Sequence, residues 1–192
     1  SKLSGTLNSA TQAVNESVLG ENVKLIDSQQ VSMGLGLSVI LAAEAVRDGA
    51  SLDEAAVVAR SALDRTSVFV LFDTLKYLEK GGRIGRANAL VGSLLQIKPI
   101  LTLEKGEIAT KTKVRTFKKG VQRLQQLIEE CGPIERSAVL YTTDNTEANK
   151  MASFLLDKME GRSKPLVTRL SPAVGTHGGP GLVGVVCVGA EA

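Results

Sequence analysis

The chain has 192 residues, 43% of them apolar and 22% charged, with a net charge of +3. That apolar fraction supports a core and excludes a disordered chain; two cysteines, Cys131 and Cys187, are too few for a disulfide scaffold. They stand 56 positions apart with no Cys-x-x-Cys spacing and one histidine in the whole chain, so the sequence holds no zinc ligand set and fits a reducing, cytoplasmic compartment.

The charge is uneven. Lys76 to Arg123 holds twelve Lys or Arg against Glu79, Glu104 and Glu107, a local +9 that leaves −6 for the remainder. This is either a solvated lysine-rich face or a docking surface for an acidic partner or phosphate. Nucleic acid is disfavoured: only Tyr77 and Phe117 are aromatic in this stretch, too few for stacking on single strands, and no DNA-binding spacing occurs. The longest apolar run, Leu35 to Val46, carries Glu44 and is too short to span a membrane, although transient contact with a membrane surface stays compatible with the basic stretch. No signal peptide is visible, and the absent initiating Met suggests processing or a piece of something longer.

In chain order, Leu7, Ala10, Val14 and Val18 recur at helical spacing up to Gly20. Val23 to Asp27 suggests a short strand, unpaired unless partners lie upstream. A helix is expected over Ser32 to Arg47. Another follows the capping box Ser51-Leu52-Asp53-Glu54 and ends near Arg65. Val68 to Phe72 has the apolar, β-branched character of a buried strand. Asp73 to Lys80 is helical up to Gly81-Gly82-Arg83-Ile84-Gly85, and a further helix is expected over Arg86 to Gln96. Lys98 to Leu103 and the stretch ending at Val114 form a hairpin about Glu104-Lys105-Gly106-Glu107. Phe117, Val121, Leu124 and Ile128 mark an amphipathic helix stopped by Gly132-Pro133. Ser137 to Thr142 is a strand and Asn145 to Met159 a helix; Leu166 to Leu170 and Leu182 to Val188 are strands about a glycine-rich loop. The pattern is α/β with a boundary near Arg65-Thr66.

Three stretches carry candidate chemistry. Ser4-Gly5-Thr6 opens a helix, as a plain cap or as an anion site where free N–H groups and two hydroxyls face a carboxylate or phosphate. Gly81-Gly82-Arg83-Ile84-Gly85 holds an arginine among glycines, but no Gly-Lys-Ser/Thr follows to make a P-loop. Gly175 to Gly181 packs four glycines and the only histidine, His177, into seven residues; a loop of this kind allows close backbone approach and points to ligand contact.

These stretches, with Ser32-Met33-Gly34-Leu35-Gly36 and Lys98-Pro99-Ile100-Leu101, resemble the DegV family in the same order over essentially all 192 residues. The most specific segment runs from Phe72-Asp73-Thr74-Leu75-Lys76 through Tyr77-Leu78-Glu79-Lys80 to Gly81-Gly82-Arg83-Ile84-Gly85, and Val114-Arg115-Thr116 adds to it. The resemblance implies a bacterial fatty-acid-binding protein, some of whose kind carry acyl groups for a fatty acid kinase in phospholipid synthesis. It implies a two-domain α/β fold: residues 1–65 as the remainder of a truncated N-terminal α/β layer, and 66–192 as a C-terminal mixed-sheet domain packed with helices. The family's further N-terminal segment, with a threonine at the carboxylate, has no counterpart in this sequence.

By the same resemblance, Ser4, Gly5, Thr6 and His177 would bind the fatty-acid carboxylate, and Arg83 would engage the ATP-dependent kinase or its phosphate. Candidate acyl-chain neighbours are Ile84, Leu90, Leu94, Ile97 and Ile100, which ordinary core packing explains equally well. A C16 tail would offer on the order of 11 kcal/mol gross at ~0.8 kcal/mol per methylene. The expected ligand is a long-chain fatty acid, with no other cofactor, no metal and no catalytic residue. Two alternatives stand beside this reading. One is an acyl hydrolase or transferase with Ser4 as nucleophile and His177 as base, although Gly-x-Ser-x-Gly is absent. The other is a lipid-free basic interaction module.

Overall fold

Side-chain alternation along six strands sorts the molecule into a central sheet covered by helices on both faces. The computed structural model describes residues 2–18, 20–90, 97–159 and 163–191. The strands are β1 (Thr66–Leu71), β2 (Lys98–Glu104), β3 (Glu107–Val114), β4 (Ile134–Tyr141), β5 (Leu166–Arg169) and β6 (Val183–Gly189), in the spatial order β3-β2-β1-β6-β4-β5. All neighbours run antiparallel except β4 and β5, which are parallel and joined through a helix, as a parallel pair requires.

On one face, Phe69 and Leu71 of β1 and Val183, Val185 and Cys187 of β6 meet Leu124, Leu127 and Ile128 of α5 (Phe117–Glu129). Met151 and Leu155 of α6 (Thr146–Lys158) complete that layer. The alternate residues, Val68 of β1, Ala138 and Leu140 of β4 and Val186 and Val188 of β6, face the other way. They pack against Leu37 and Leu41 of α2 (Met33–Arg47) and Ala62 of α3 (Leu52–Asp64). Each fully buried leucine contributes about 1.5–3 kcal/mol, so either layer stabilises the sheet substantially. The position 65/66 therefore falls between a helical layer and the sheet with which it shares a core.

Local chemistry accounts for most boundaries. The Ser51 hydroxyl accepts the Glu54 N–H at 3.3 Å while the Glu54 carboxylate accepts the Ser51 N–H at 2.8 Å, and so α3 starts where it does. The Thr116 hydroxyl accepts the Lys119 N–H and starts α5. Lys105 and Gly106, at φ 50° and 76°, close the two-residue β2–β3 hairpin. The register shifts between Ile100 and Leu101, leaving Lys111 as the extra residue of β3, its ammonium 5.7 Å from the Phe69 ring centre.

Three expectations are corrected. Val23 to Asp27 is extended chain without a ladder partner among the described residues; its apolar Leu25 and Ile26 face a cavity instead of a neighbouring strand. The helix expected over Arg86 to Gln96 is a 3₁₀ segment, Gly85–Leu90, and residues 91–96 lie outside the described residues. It begins at Gly85 with φ 53°, and the Arg86 guanidinium is held by Glu104 at 2.5 Å. The glycine-rich stretch 175–181 is not a loop throughout. Ser171 precedes Pro172 in the first turn of α7 (Pro172–Gly178), a favourable start, and Gly179 at φ 75° ends it, leaving His177 on a helix.

Candidate functional site

Between the α2-side face of the sheet and the N-terminal part of the chain lies a cavity of about 610 Å³, within the range of small-molecule sites. Its floor is Val68, Val70 and Phe72 with Leu101 and Leu103, and Leu140 extends it. Leu3, Leu7 and Ala10 of the segment around α1 (Thr6–Asn15) and Leu25, Ile26 and Leu35 form the opposite wall. Residues 23–31 have no ladder partner among the described residues, and Leu25, Ile26 and Val31 turn instead to this cavity.

Beside Asp27, Ser28, Gln30, Ser32 and Thr102, the cavity receives polar groups from the three stretches singled out in the sequence. Ser4, Thr6, Arg83 and His177 all line it. The Ser4 hydroxyl accepts the Thr6 N–H at 3.1 Å and lies 2.6 Å from the Thr6 hydroxyl, so two hydroxyls sit together at the start of α1. His177 is brought in by a close approach of α7 to α4 (Lys76–Lys80). A Cβ on Gly81 would stand 2.1 Å from His177 Nδ1, and one on Gly179 would stand 2.3 Å from the Tyr77 ring. The two helices touch through reciprocal glycine contacts, one from each glycine-rich motif.

His177 Nδ1 is buried without a hydrogen-bond partner among the described residues. The only other such side-chain atom among them is Gln30 Oε1, and Gln30 lines the same cavity. Buried polar atoms are rarely left unpaired, so their joint presence here marks a place for a ligand's polar groups or for water. Gln30 lies over Gly34, where a Cβ would come within 2.7 Å of its Oε1 and 3.2 Å of Val68. Val68 is about 13 Å along the strand from Phe72, at ~3.3 Å per residue, and so Gln30 is far from the His177 end. Sequence reasoning missed Gln30: it stands in the polar run Ser28-Gln29-Gln30, and Gly34 is the only trace of its packing.

A second hollow of about 470 Å³ adjoins the first, and Leu3, Ser4, Arg83 and Ile108 line both. Gly5 lines this second hollow. Its other cations are neutralised: Lys2 pairs with Glu107 at 3.0 Å and Arg86 with Glu104. Arg83 donates instead to the carbonyls of Leu3 at 3.4 Å and Gly81 at 2.9 Å, with no carboxylate partner among the described residues. Its guanidinium thus stands at the joint between the hollows with its charge uncompensated.

Of the expected chain-lining residues, Ile84, Leu90, Ile97 and Ile100 are described, and none of them lines this cavity. Ile100 packs in the α5-side core, on the opposite face of the sheet, because alternation and the bulge at Ile100/Leu101 send it there. Ile84 packs against the cluster of Phe72, Leu78 and Leu101, and with Leu90 and Ile97 it is outside the cavity wall among the described residues. Leu94 lies outside the described residues. No group of three or more His, Cys, Asp or Glu side chains gathers to hold a metal among the described residues.

A family model described as "Uncharacterised protein, DegV family" matches residues 1–190. The chain belongs to the DegV family. A DegV domain-containing protein of Streptomyces coelicolor is 37% identical over 188 residues, covering 96% of this chain and 66% of that protein; one of Clostridium acetobutylicum is 35% identical with the same coverage. The chain thus spans just under two thirds of the length of these DegV relatives. Among solved structures, a fatty-acid-binding DegV family protein of Thermus thermophilus matches at 30% identity and a TM-score of 0.90, over 98% of this chain and 68% of that one. DegV of Bacillus subtilis, a fatty acid binding protein, matches at 30% identity and a TM-score of 0.83 with the same coverage.

Proposed function

We propose that this DegV chain binds one long-chain fatty acid in the 610 Å³ cavity, with the carboxylate at Ser4, Thr6 and His177 and the acyl chain along Val68, Val70, Leu101 and Leu103. The observation that carries the reading is that His177 Nδ1, buried without a hydrogen-bond partner among the described residues, lines with Ser4 and Thr6 a cavity whose remaining wall is mostly apolar. Fatty-acid binding by the Thermus and Bacillus proteins supports it. Affinity comes from apolar burial, and the polar end fixes orientation.

The finer reading is that of a cytoplasmic carrier, itself without catalytic residues, that presents the carboxylate to a separate ATP-dependent kinase for acyl-phosphate formation. Arg83 is then the group that meets the transferring phosphate or the kinase, because its charge is uncompensated and it stands beside Ser4 at the edge of the cavity. The rival hydrolase reading loses support from Ser4, whose hydroxyl is engaged with Thr6.

The test is to incubate the purified chain with oleate or palmitate, remove free lipid, denature, and quantify the extract by mass spectrometry. About one fatty acid per chain is expected. His177→Ala and Ser4→Ala should each weaken retention by roughly 10- to 100-fold, the value of about 1.5–3 kcal/mol for a hydrogen bond to a charged group. A lipid-free extract from the unaltered chain under these conditions overturns the proposal.

A further inference from the structure

A carboxylate held at Ser4, Thr6 and His177 leaves Gln30 without a role. Its Oε1 is buried with no hydrogen-bond partner among the described residues, although the residue lines the cavity. The oxygen is turned onto Gly34, where a Cβ would stand 2.7 Å from it and 3.2 Å from Val68, and Val68 offers no donor. Ser28 and Ser32, two positions to either side, line the cavity as well, so a short polar strip interrupts a mostly apolar wall.

The backbone is bent to hold Gln30 in that strip. Gln29 at φ 50° and Ser32 at φ 52° are two of the three non-glycine residues with positive φ among those described, and the third, Lys105, belongs to the hairpin turn. The Gln30 N–H donates to the Ser28 hydroxyl at 3.2 Å. Gln29 packs over the hairpin, its Cβ 3.4 Å from where a Cβ on Gly106 would stand. Gln30 is thus fixed at the hairpin end of the cavity floor, beside Val68, while Phe72 marks the other end of β1.

We infer that Gln30 is a specificity-determining residue that reads a hydroxyl in the middle of the acyl chain, so that the favoured ligand is a hydroxylated long-chain fatty acid. The inference rests on the fatty-acid reading of the cavity and deepens it. A buried acceptor left unpaired forfeits its hydration, and a hydroxyl that reaches it restores the loss. The terminal torsion of glutamine is broad and roughly two-fold, so the amide turns in place and offers a hydroxyl either Oε1 or Nε2. A methylene answers neither. From Phe72 to Val68 the floor runs about 13 Å at ~3.3 Å per residue, which puts the hydroxyl far from the carboxylate and not beside it. A site that hydrogen-bonds a substrate hydroxyl rejects the analogue lacking it, whereas a plain apolar tunnel would reject the hydroxyl itself.

The test is a competition on the unaltered chain between oleate and ricinoleate, which is oleate with one mid-chain hydroxyl. Free lipid is removed and the retained acids are quantified by mass spectrometry, with α-hydroxyoleate against oleate as the positional control. Ricinoleate should be retained about tenfold over oleate, as one recovered hydrogen bond supplies, and α-hydroxyoleate should have no such advantage. Gln30→Leu keeps the bulk and removes the amide; it should cost ricinoleate about tenfold in retention and leave oleate unchanged or improved. Equal retention of the two acids, the result if an ordered water answers Gln30, overturns the inference, and so does a preference for oleate. A preference for ricinoleate that survives in Gln30→Leu overturns it too. All three leave the fatty-acid reading in place, whereas retention of neither acid overturns both. The competition is read on the unaltered chain, so it decides even if the variant fails to fold.

Discussion

Gly81 shows how one missing side chain builds the polar end of the cavity. Its φ of −80° suits any residue, so the demand for glycine is steric: a Cβ would meet His177 Nδ1 at 2.1 Å and Cε1 at 2.8 Å. Gly81→Ala must therefore turn the imidazole away or part α4 from α7, at a cost of about 1–3 kcal/mol for overpacking. Denaturant unfolding should show that loss, and fatty-acid retention should fall with it. Removing the ring in the double variant Gly81→Ala, His177→Ala should recover most of the stability but none of the retention, a coupling that a double-mutant cycle measures. Additive losses in both readouts would show that the two residues do not touch. Ser4, Thr6 and His177 were legible as candidates because hydroxyls at a helix start suit an anion and a lone histidine among glycines is unusual, whereas Gln30 gave no such signal. The apolar wall was not legible either. Ile100 and Leu101 are adjacent and alike, and only strand phase and a bulge decide which one reaches the cavity.

At the scale of elements, helix ends with specific caps were legible and short or glycine-rich elements were not. α3 and α5 begin at the capping residues their sequences advertise. α7 was obscured because its glycines masked Ser171-Pro172, and Val23 to Asp27 has strand-like composition that serves a cavity wall. The α3 cap also gives a pH signature. The backbone N–H and then the hydroxyl of Ser51 bond the Glu54 carboxylate and hold its pKa below the ordinary value. A carboxyl lowered on folding contributes stability in full above its unfolded pKa and loses it as pH falls through the folded one. Ser51→Ala should therefore lower the melting temperature at pH 7, and the difference from the parent should shrink as Glu54 protonates. Melting curves of both proteins from pH 7 down to about pH 3 check this; a difference that holds constant across the range would show that Glu54 takes no part in the cap.

Taken whole, the described residues form two core layers on the sheet and leave an apolar region open beside them. On the α5 side, packing is complete: Leu124, Val185 and Leu155 are all at 0% exposure. On the other side, Val68, Val70 and Leu101 front the 610 Å³ cavity, whose opposite wall carries few buried residues; α1 has none. A long acyl chain would serve as the missing core of this region, and its binding must then appear as folding stability. At free ligand one hundred times Kd, linkage supplies about 2.7 kcal/mol, which for a domain of this size raises the melting temperature by about 5–10 °C. The same occupancy should slow amide exchange most in residues 2–18 and 23–32, the wall that leans on the ligand, and least in β4 and β6. Oleate and palmitate should produce both effects, whereas acetate at equal concentration should produce neither, because it offers the carboxylate without the apolar chain. Stabilisation by acetate to the same degree would relocate the effect to the Ser4 hydroxyl and the Arg83 charge and deny the cavity its proposed occupant.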